Sequence, residues 1–279
     1  MKEATRRLAD ALTAENGFVL VVTGAGVSYA SGIETFRGTD PQAVWKVSDV
    51  ETATVRFFYD RPVDQWTWYL QRFRKVDEAR PNAAHHALSS LESWCEETGR
   101  EFLVVTQNID CLHEAAGSER LIKVHGTSDR LRCSASGCEF GAPHGSLERR
   151  ATDIERFRQQ PSLESLPRCP ACNSLLRAHV LFFDEFYGEH VDYRFPEVER
   201  AALEANLVLF VGTSFSVGVT DLILRAAAAR QAPQFSIDPG GAPPPLRAVH
   251  SLQHPAEELL PAVCARLGIT PGPGPRSSP

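Results

Sequence analysis

Long apolar runs and an excess of basic residues are both missing from this sequence of 279 residues. No segment has the roughly 20 apolar residues that a membrane-spanning helix needs, and the charged N-terminal segment lacks the apolar core of a signal peptide. The formal net charge of −6 and the pI of about 5.9 exclude the basic footprint of a nucleic-acid-binding protein. We therefore expect a cytoplasmic protein that binds neither membranes nor nucleic acids. The sequence does not determine the oligomeric state, and a monomer is the default expectation.

The cysteines are odd in number, seven in all, and four of them form two close pairs. Four residues separate Cys133 from Cys138, and two residues separate Cys169 from Cys172. In a reducing compartment close pairs indicate a metal site before disulfides, although unpaired core cysteines or a disulfide remain alternatives. Two pairs can bind a tetrahedral Zn²⁺ from both sides. A site closed by four thiolates is structural, because no position is left for a substrate.

Residues 18–38 are the most informative part of the chain. They open with the apolar, β-branched run FVLVV, which suits a strand buried on both faces of a parallel sheet. Gly24 and Gly26 then permit a tight turn with backbone N–H groups close to a phosphate, and Ser28 can begin a helix. In doubly wound sheets this order of strand, glycine turn and helix holds the pyrophosphate of a dinucleotide. The glycines alone, however, fit a turn in any α/β protein about equally well.

The residues that follow Gly26 make the pattern specific. The segment GAGVSYASGIETFRG resembles the NAD-binding signature of the sirtuins, the NAD-dependent protein lysine deacylases. The resemblance implies that the segment after Gly38 is a loop that closes over the cofactor. It also implies that NAD contacts residues of the signature, namely Gly24, Ala25, Gly26, Ser28, Ser31, Gly32, Ile33, Thr35, Phe36 and Arg37.

Polar residues follow two later apolar runs. FLVVT precedes Gln107, Asn108, Ile109 and Asp110, and LIKV precedes His125 in a second strand expected at residues 121–126. Side chains at the carboxyl ends of parallel strands face the ligand crevice, although Asn108 and Asp110 could instead simply cap the next helix. The first segment resembles the sirtuin Thr-Gln-Asn-Ile-Asp motif, which implies that these four residues surround the nicotinamide ribose. The resemblance makes His125 the catalytic base, assisted by Asn108 and Asp110, and a pKa near neutrality suits it to accept a proton from a ribose hydroxyl.

The last strands and the last helix complete the expected cofactor site. LVLFV runs into a small, hydroxyl-rich turn, and FSI ends at an aspartate. Such groups can meet a ribose or a phosphate closely. The resemblance implies that NAD also contacts Gly212, Thr213, Ser214, Asp238 and, in the final helix 255–267, Ala256.

A helix that starts near Pro62 carries an aromatic face. Trp66, Tyr69 and Phe73 share this face, which by spacing alone is typical of a core stripe. With Arg72, the pattern Trp-x-x-Tyr-x-x-Arg resembles the sirtuin branch that removes succinyl and malonyl groups from lysine. The resemblance implies that Tyr69 and Arg72 bind the acyl carboxylate, since a guanidinium pairs bidentately with a carboxylate and a phenol donates a second bond.

A second substrate segment is expected at residues 176–185. In sirtuins the matching segment binds the substrate peptide as an added strand, which implies that Val180 and Phe183 contact the substrate. Asp184 stands where the family often has glycine. Aspartate tolerates unusual backbone dihedrals better than most non-glycine residues.

The resemblance covers residues 11–267 and implies the fold. We predict an α/β protein with a Rossmann-like, doubly wound parallel sheet and a smaller inserted domain that contains a zinc ribbon and a helical part. The expected divisions are 1–38, 81–126 and 179–269 for the NAD-binding domain, 39–80 for the helical part and 127–178 for the zinc-binding module. The polar insert 147–166 is expected on the surface, and the Pro/Gly/Ser-rich tail 270–279 is expected to be disordered.

The implied reaction removes acyl groups from lysines of protein substrates, with NAD as co-substrate and Zn²⁺ as a structural ion. The acyl oxygen attacks the anomeric carbon of the nicotinamide ribose and nicotinamide leaves. His125 then deprotonates a ribose hydroxyl, which attacks the acyl carbon to give free lysine and O-acyl-ADP-ribose. NAD hydrolysis, ADP-ribosyl transfer, plain deacetylation and a non-enzymatic NAD sensor are the alternatives.

Overall fold

The computed structural model describes residues 1–14, 16–34, 47–240 and 245–270. Its helices are α1 (Lys2–Ala14), α2 (Val47–Thr52), α3 (Val55–Asp60), α4 (Pro62–Glu78), α5 (Ala83–Glu97), α6 (Leu112–Ala115), α7 (Glu155–Gln159), α8 (Phe195–Glu204), α9 (Gly218–Ala229) and α10 (Ala256–Arg266). Its strands are β1 (Phe18–Thr23), β2 (Glu101–Thr106), β3 (Leu121–Lys123), β4 (Gly126–Cys133), β5 (Leu147–Glu148), β6 (Leu176–Val180), β7 (Leu207–Val211), β8 (Gln234–Ile237) and β9 (Val249–Leu252). Short 3₁₀ segments cover Ala25–Ser31, Arg149–Ala151, Tyr187–Glu189 and Val191–Tyr193.

The larger sheet is parallel and carries the first strand near its middle. Within the described residues its order is β3-β2-β1-β7-β8-β9, so β1 pairs with β2 on one side and with β7 on the other. Parallel strands need crossover connections, which the helices between them supply. The strand order reverses direction at β1. A doubly wound sheet opens its ligand crevice at this position, outside the carboxyl ends of the strands.

The position of β1 inside the sheet explains why its sequence is apolar at every residue from 18 to 22. Val19 and Val21 pack into the core with α1, α5 and α10, whereas Leu20 and Val22 pack into the core with α8 and α9. Successive side chains of a strand point to opposite faces, so a strand covered by helices on both faces must be apolar at every position. All four side chains are fully buried.

A smaller antiparallel sheet has the order β5-β4-β6. Helices α3 and α4 pack on it around a third apolar cluster. Trp66 of α4 illustrates this attachment, because its buried ring donates from Nε1 to the carbonyl of Leu176 in β6 at 2.8 Å. The predicted α/β architecture, a Rossmann-like parallel sheet with a smaller inserted domain, is confirmed.

Two expectations about local structure are wrong. The run 121–126 is not one strand: β3 ends at Lys123, and Gly126, with a φ of 77°, begins β4 in the other sheet. The insert 147–166 is not confined to the surface, because Phe157 is fully buried with its ring 6.1 Å from that of Trp66. Helix α7 is charged and only about one and a half turns long, but one of its faces still packs against the protein, and Phe157 lies on that face.

Some expectations fall on parts of the chain outside the described residues. They concern Thr35, Phe36 and Arg37, the loop up to residue 46, and the tail from residue 271 onward. The helices of the described ranges are all too short or too polar to cross a membrane.

Candidate active site

A cavity of about 450 Å³ lies at the carboxyl ends of β1, β2 and β7, where the strand order reverses. Its walls also include α4 and the end of β6, so both parts of the molecule contribute. Most of the residues predicted to bind the cofactor or the substrate line it: Gly24, Ala25, Gly26, Tyr69, Arg72, Gln107, Asn108, Ile109, His125, Val180, Phe183, Gly212, Thr213, Ser214 and Asp238.

A second cavity, of about 280 Å³, shares part of its wall with the first, including Trp68, Arg72 and Asn108. Three more predicted residues line it, namely Ser28, Ile33 and Asp110. The two cavities therefore meet along α4 and the segment after β2. Together they provide an elongated space of the kind that a dinucleotide and an extended side chain require.

Gly26 and Gly212 bring the loops after β1 and β7 into contact. A Cβ on Gly26 would lie 2.7 Å from Cα of Gly212, and a Cβ on Gly212 would lie 2.3 Å from the backbone nitrogen of Val27. Gly212 also has a φ of 58°. A side chain at either position would push the loops apart. Glycine is therefore required for the close packing that forms this wall of the cavity.

Hydrogen bonds join the first glycine loop to the segment after β2. Nδ2 of Asn108 donates to Oγ of Ser28 at 3.0 Å and to the carbonyl of Gly24 at 3.2 Å, and Ser28 donates to Oδ2 of Asp110 at 2.9 Å. Oδ1 of Asp110 accepts from the backbone N–H of Leu112, the first residue of α6. Burial raises the pKa of the Asp110 carboxyl, although these donors oppose the rise. The bonds hold Asn108 and Asp110 in fixed orientations at the cavity wall.

His125 lies at the junction of the two sheets with its tautomer fixed. Its Nδ1 is 2.9 Å from the carbonyl oxygen of Gln107, which can only accept, so Nδ1 carries the proton. The lone pair of Nε2 then accepts from the phenol of Tyr187 at 3.3 Å. Burial lowers the pKa of His125 to about 4, against a smaller upward effect of the bond to Gln107. A ring that is neutral at physiological pH, with an unprotonated nitrogen at the cavity, can accept a proton from a substrate hydroxyl.

Tyr69 and Arg72 of α4 enter the same cavity as His125. Tyr69 is buried and stacks on Phe182, with ring centroids 5.9 Å apart. Burial raises the pKa of its phenol, so the phenol stays protonated and can donate. The Arg72 guanidinium carbon lies 3.7 Å from the centroid of the Trp68 ring, a cation–π contact. A guanidinium supported in this way can meet a carboxylate in the cavity.

The predicted substrate strand supplies Val180 and Phe183. Val180 is the last residue of β6 and is buried, whereas Phe183 is 48% exposed and lies where the cavity opens. Asp184, between Phe183 and the buried Glu185, has a structural role. Its carboxylate accepts from the backbone N–H of Val55 at 2.8 Å and of Arg56 at 3.3 Å, and thereby ties the start of α3 to this loop.

Several residues that were predicted to contact NAD make contacts with other parts of the protein. Oγ of Ser31 accepts from Nδ2 of Asn82, and Gly32 ends the 3₁₀ segment with a φ of 85°. Oδ1 of Asp238 accepts from the N–H of Gly240, although Asp238 still lines the cavity. Ala256 is buried in the core beside α1 and α5, and it is not among the residues that line either cavity.

Trp68 and Tyr187 are site residues that the sequence analysis missed. Trp68 precedes Arg72 by four residues on one helix, so the i,i+4 rule offered a signal for their contact. Tyr187 lies in a short 3₁₀ segment without periodicity, and its approach to His125 depends on the fold.

The four paired cysteines converge at the end of the smaller sheet. Sγ of Cys133 lies 3.4 Å from Sγ of Cys172, Sγ of Cys138 lies 3.6 Å from Sγ of Cys169, and all four sulfurs are within 4.8 Å of one another. Zn–S bonds of about 2.3 Å place the sulfurs of a tetrahedral site about 3.8 Å apart. The cluster therefore fits the predicted Zn²⁺, and its four thiolates leave no open position on the ion.

Comparison with known proteins links this arrangement to one family. The sequence model of a protein family described as "Sir2 family" matches residues 24–219 of this chain. A Thermus thermophilus protein named NAD-dependent protein deacylase is 38% identical over 244 residues, which are 87% of this chain and 85% of that protein. The Danio rerio NAD-dependent protein deacylase sirtuin-5, mitochondrial, is 33% identical over 257 residues, with 89% and 82% covered. A solved Sir2 structure with a deacetylated p53 peptide and 3′-O-acetyl-ADP-ribose matches with a TM-score of 0.79 and 26% identity, covering 95% of this chain and 99% of the other.

Proposed function

The chain belongs to the Sir2 family of NAD-dependent protein deacylases, and we propose that it removes succinyl and malonyl groups from protein lysines as well as or better than acetyl groups. The proposal rests on Tyr69 and Arg72, which line one cavity with His125. Succinyl and malonyl groups end in a carboxylate, whereas an acetyl group ends in a methyl. A cationic and a neutral donor side by side therefore favour the acidic acyl groups.

The support of Arg72 by Trp68 strengthens this assignment. An indole face 3.7 Å from the guanidinium carbon restricts the conformations of the Arg72 side chain. Tyr69 is held by Phe182 and Phe73, with centroids 5.9 and 5.6 Å away. Both groups are therefore ordered before a ligand binds, which reduces the entropic cost of holding a carboxylate.

The remaining residues fit a reaction with NAD as co-substrate. NAD supplies the ADP-ribosyl group that takes over the acyl group in this family's reaction. The glycine loop and the turn at Gly212 would hold the phosphates and the adenosine ribose. Asn108 and Asp110 would orient the nicotinamide ribose, and Nε2 of His125 would accept a proton from one of its hydroxyls. Bonds to Gly24, Ser28 and Leu112 fix the first two side chains, so no reorientation is needed during the reaction.

Matched acetyl- and succinyl-lysine peptides with NAD, followed by mass spectrometry, test the proposal. We expect wild type to prefer the succinyl peptide or to use both equally. Arg72→Met should lower kcat/KM for the succinyl peptide roughly 10- to 100-fold, since a charge-assisted hydrogen bond contributes about 1.5–3 kcal/mol. Activity on the acetyl peptide should change much less. Tyr69→Phe should have a smaller effect in the same direction.

Arg74→Met is the matched control, because Arg74 is on the exposed side of α4 and pairs with Glu78. It should leave both activities unchanged. An acetyl preference with no effect of Arg72→Met would make the protein a plain deacetylase. NAD consumption without any peptide product would indicate a hydrolase.

His125→Ala should abolish deacylation while NAD still binds, and normal turnover in that variant would contradict the role of His125 as the base.

A further inference from the structure

His179, His190 and Asp192 form a second cluster of metal-binding side chains, apart from the four cysteines. His179 is in β6, His190 directly precedes the 3₁₀ segment Val191–Tyr193, and Asp192 lies within that segment. One ligand atom from each of the three lies within 4.8 Å of the others. Nε2 of His179 is 3.1 Å from Oδ2 of Asp192, and Nδ1 of His190 is 3.6 Å from the same oxygen.

The tautomer of His190 places a lone pair on Nδ1, the nitrogen that lies nearer to Asp192. Nε2 of this buried ring is 3.0 Å from the carbonyl oxygen of Gly145, so Nε2 carries the proton and Nδ1 does not. Metal-binding histidines are usually oriented in this way, with the second nitrogen donating to a carbonyl or carboxylate. The N–H of Asp192 donates to Nδ1 at 3.2 Å, a cap hydrogen bond that a metal ion at Nδ1 would displace.

His179 has a polar neighbour in the cluster, the carboxylate of Asp192, 3.1 Å from its Nε2. It is 1% exposed, and neither ring nitrogen has hydrogen-bond geometry to any of the described residues. The Asp192 oxygen is close to Nε2 but lies off the direction in which an N–H would donate. Two ligands of one ion have this relationship, since both point to the ion and not to each other. Leaving a buried ring nitrogen unsatisfied is costly, and a metal ion bound at Nε2 would remove this cost.

The distances fit one ion. Bonds of about 2.0–2.2 Å from zinc to nitrogen and oxygen place neighbouring ligands roughly 3.0–3.5 Å apart. The separations of 3.1 and 3.6 Å match this range after small adjustments. Asp192 has a side chain 44% exposed, which gives an ion a path from solvent.

The surrounding charges permit a cation. The guanidinium of Arg132 is paired with Glu185 at 2.5 Å, and that of Arg130 donates to Ser146. Apart from a long contact with Ser146 at 3.4 Å, the carboxylate of Asp192 faces the two imidazoles. Two neutral imidazoles and one carboxylate form a ligand set typical of divalent transition metals.

We propose that His179, His190 and Asp192 bind a divalent transition-metal ion, such as Zn²⁺, Co²⁺ or Ni²⁺, independently of the cysteine site. The ion would join Val191–Tyr193 to β6, whose last residue, Val180, lines the large cavity. Three protein ligands leave room for water on the ion.

Co²⁺ is the probe that separates the two metal sites. The full chain, purified with Zn²⁺ on its cysteines, is mixed with Co²⁺ and freed of unbound ion, and its metals are counted by mass spectrometry. We expect one Co²⁺ in addition to one Zn²⁺, with visible d–d bands but without thiolate-to-cobalt charge-transfer absorption. X-ray absorption at the cobalt edge should show nitrogen and oxygen neighbours, among them imidazole, and no sulfur.

Asp192→Asn should lose the bound Co²⁺, because it removes the charge and keeps the size of the side chain. Asp153→Asn, which removes an exposed carboxylate elsewhere, should keep it. Retention of Co²⁺ by Asp192→Asn would overturn the proposal, as would wild type that takes up no second ion. The absorption spectrum of wild type decides the ligands even where a variant folds poorly, and a sulfur shell would also overturn the site.

Discussion

The phenol of Tyr187 and Nε2 of His125 are 3.3 Å apart, with the phenol as the donor. The two rings are nearly parallel, with centroids 5.8 Å apart, and Tyr187 stacks in turn on Phe195 at 4.4 Å. Tyr187 therefore contacts the nitrogen that accepts the substrate proton in the proposed mechanism. A donor at this nitrogen stabilises the neutral ring, so on that mechanism Tyr187 would hold the base in its working form until a ribose hydroxyl took the place of the phenol.

Tyr187→Phe should change the pH dependence of deacylation. In wild type the acid limb of kcat/KM should lie well below pH 6, because burial lowers the pKa of His125 to about 4 and only the neutral ring is a base. Loss of the phenol should raise the pKa of His125, so the limb should move to higher pH. The measurement is a pH profile of both proteins with a saturating concentration of NAD.

Tyr59→Phe is the control for this profile, because Tyr59 is exposed and its phenol donates to the carbonyl of Ser134. It should reproduce the wild-type curve. The acid limb of Tyr187→Phe could instead have the same midpoint as wild type, with only the height of the profile changed. Tyr187 would then pack the site without influencing the pKa of the base.

Gly212→Ala should destabilise the protein and weaken NAD binding. The added methyl would lie 2.3 Å from the backbone nitrogen of Val27, and the φ of 58° is strained for alanine. Overpacking and strain of this kind each cost about 1–3 kcal/mol, measurable by denaturant unfolding. Gly188→Ala is the matched control, since its added Cβ meets nothing within 4 Å. Equal stability of the two variants would show that the loops can separate freely.

His85 should make the fold sensitive to acid. Burial lowers its pKa to about 4, and its Nδ1 accepts from the N–H of Asn82 at the start of α5. The unfolded chain binds this proton near pH 6.5, so it holds more protons than the folded protein between these values. The free energy of unfolding is therefore complete above pH 6.5 and falls as the pH drops toward 4, by up to about 1.4 kcal/mol per pH unit for this group.

Denaturant unfolding at several pH values between 7 and 5 measures this slope. His113, which contacts His85 with ring centroids 4.9 Å apart, also has a pKa lowered by burial and should add to the slope in wild type. His85→Gln should reduce the slope, whereas His144→Gln, at an exposed position, should not. An unchanged slope in His85→Gln would mean that other groups cause the acid sensitivity.

The elements that the sequence predicted well are those with local causes. The run FVLVV is apolar at every position and forms β1, which is paired on both sides, and Gly24 and Gly26 allow the tight turn directly after it. Asn108 and His125, which follow β2 and β3, could also be found, because polar residues after buried strands meet at one edge of a sheet.

The parts that escaped prediction depend on contacts between distant segments. Asp184 reaches the start of α3, which is about 130 residues earlier in the chain, and Tyr187 reaches His125 from a loop without periodicity. The burial of Phe157 depends on Trp66, which belongs to another part of the inserted domain. Composition cannot reveal such pairs, because each partner is ordinary in its own segment.

Removal of zinc should abolish deacylation but weaken NAD binding much less. Cys133 ends β4, the strand that starts beside His125, and it packs in one cluster with Tyr69 of α4. A sheet of short strands has too small a core to be stable alone, so loss of the ion should loosen the wall that carries Tyr69 and Arg72. The glycine loop lies on the larger sheet, whose core does not include the cysteine cluster.

Treatment with a chelator, followed by parallel assays of NAD binding and succinyl-lysine turnover, measures this difference. Circular dichroism should show that most of the helix content survives. Adding Zn²⁺ back should restore turnover, and Cys172→Ser should behave like the chelated protein. Full activity in protein shown to be free of zinc would mean that packing of α4 on β6, through Trp66 and Leu176, holds the acyl pocket without the metal.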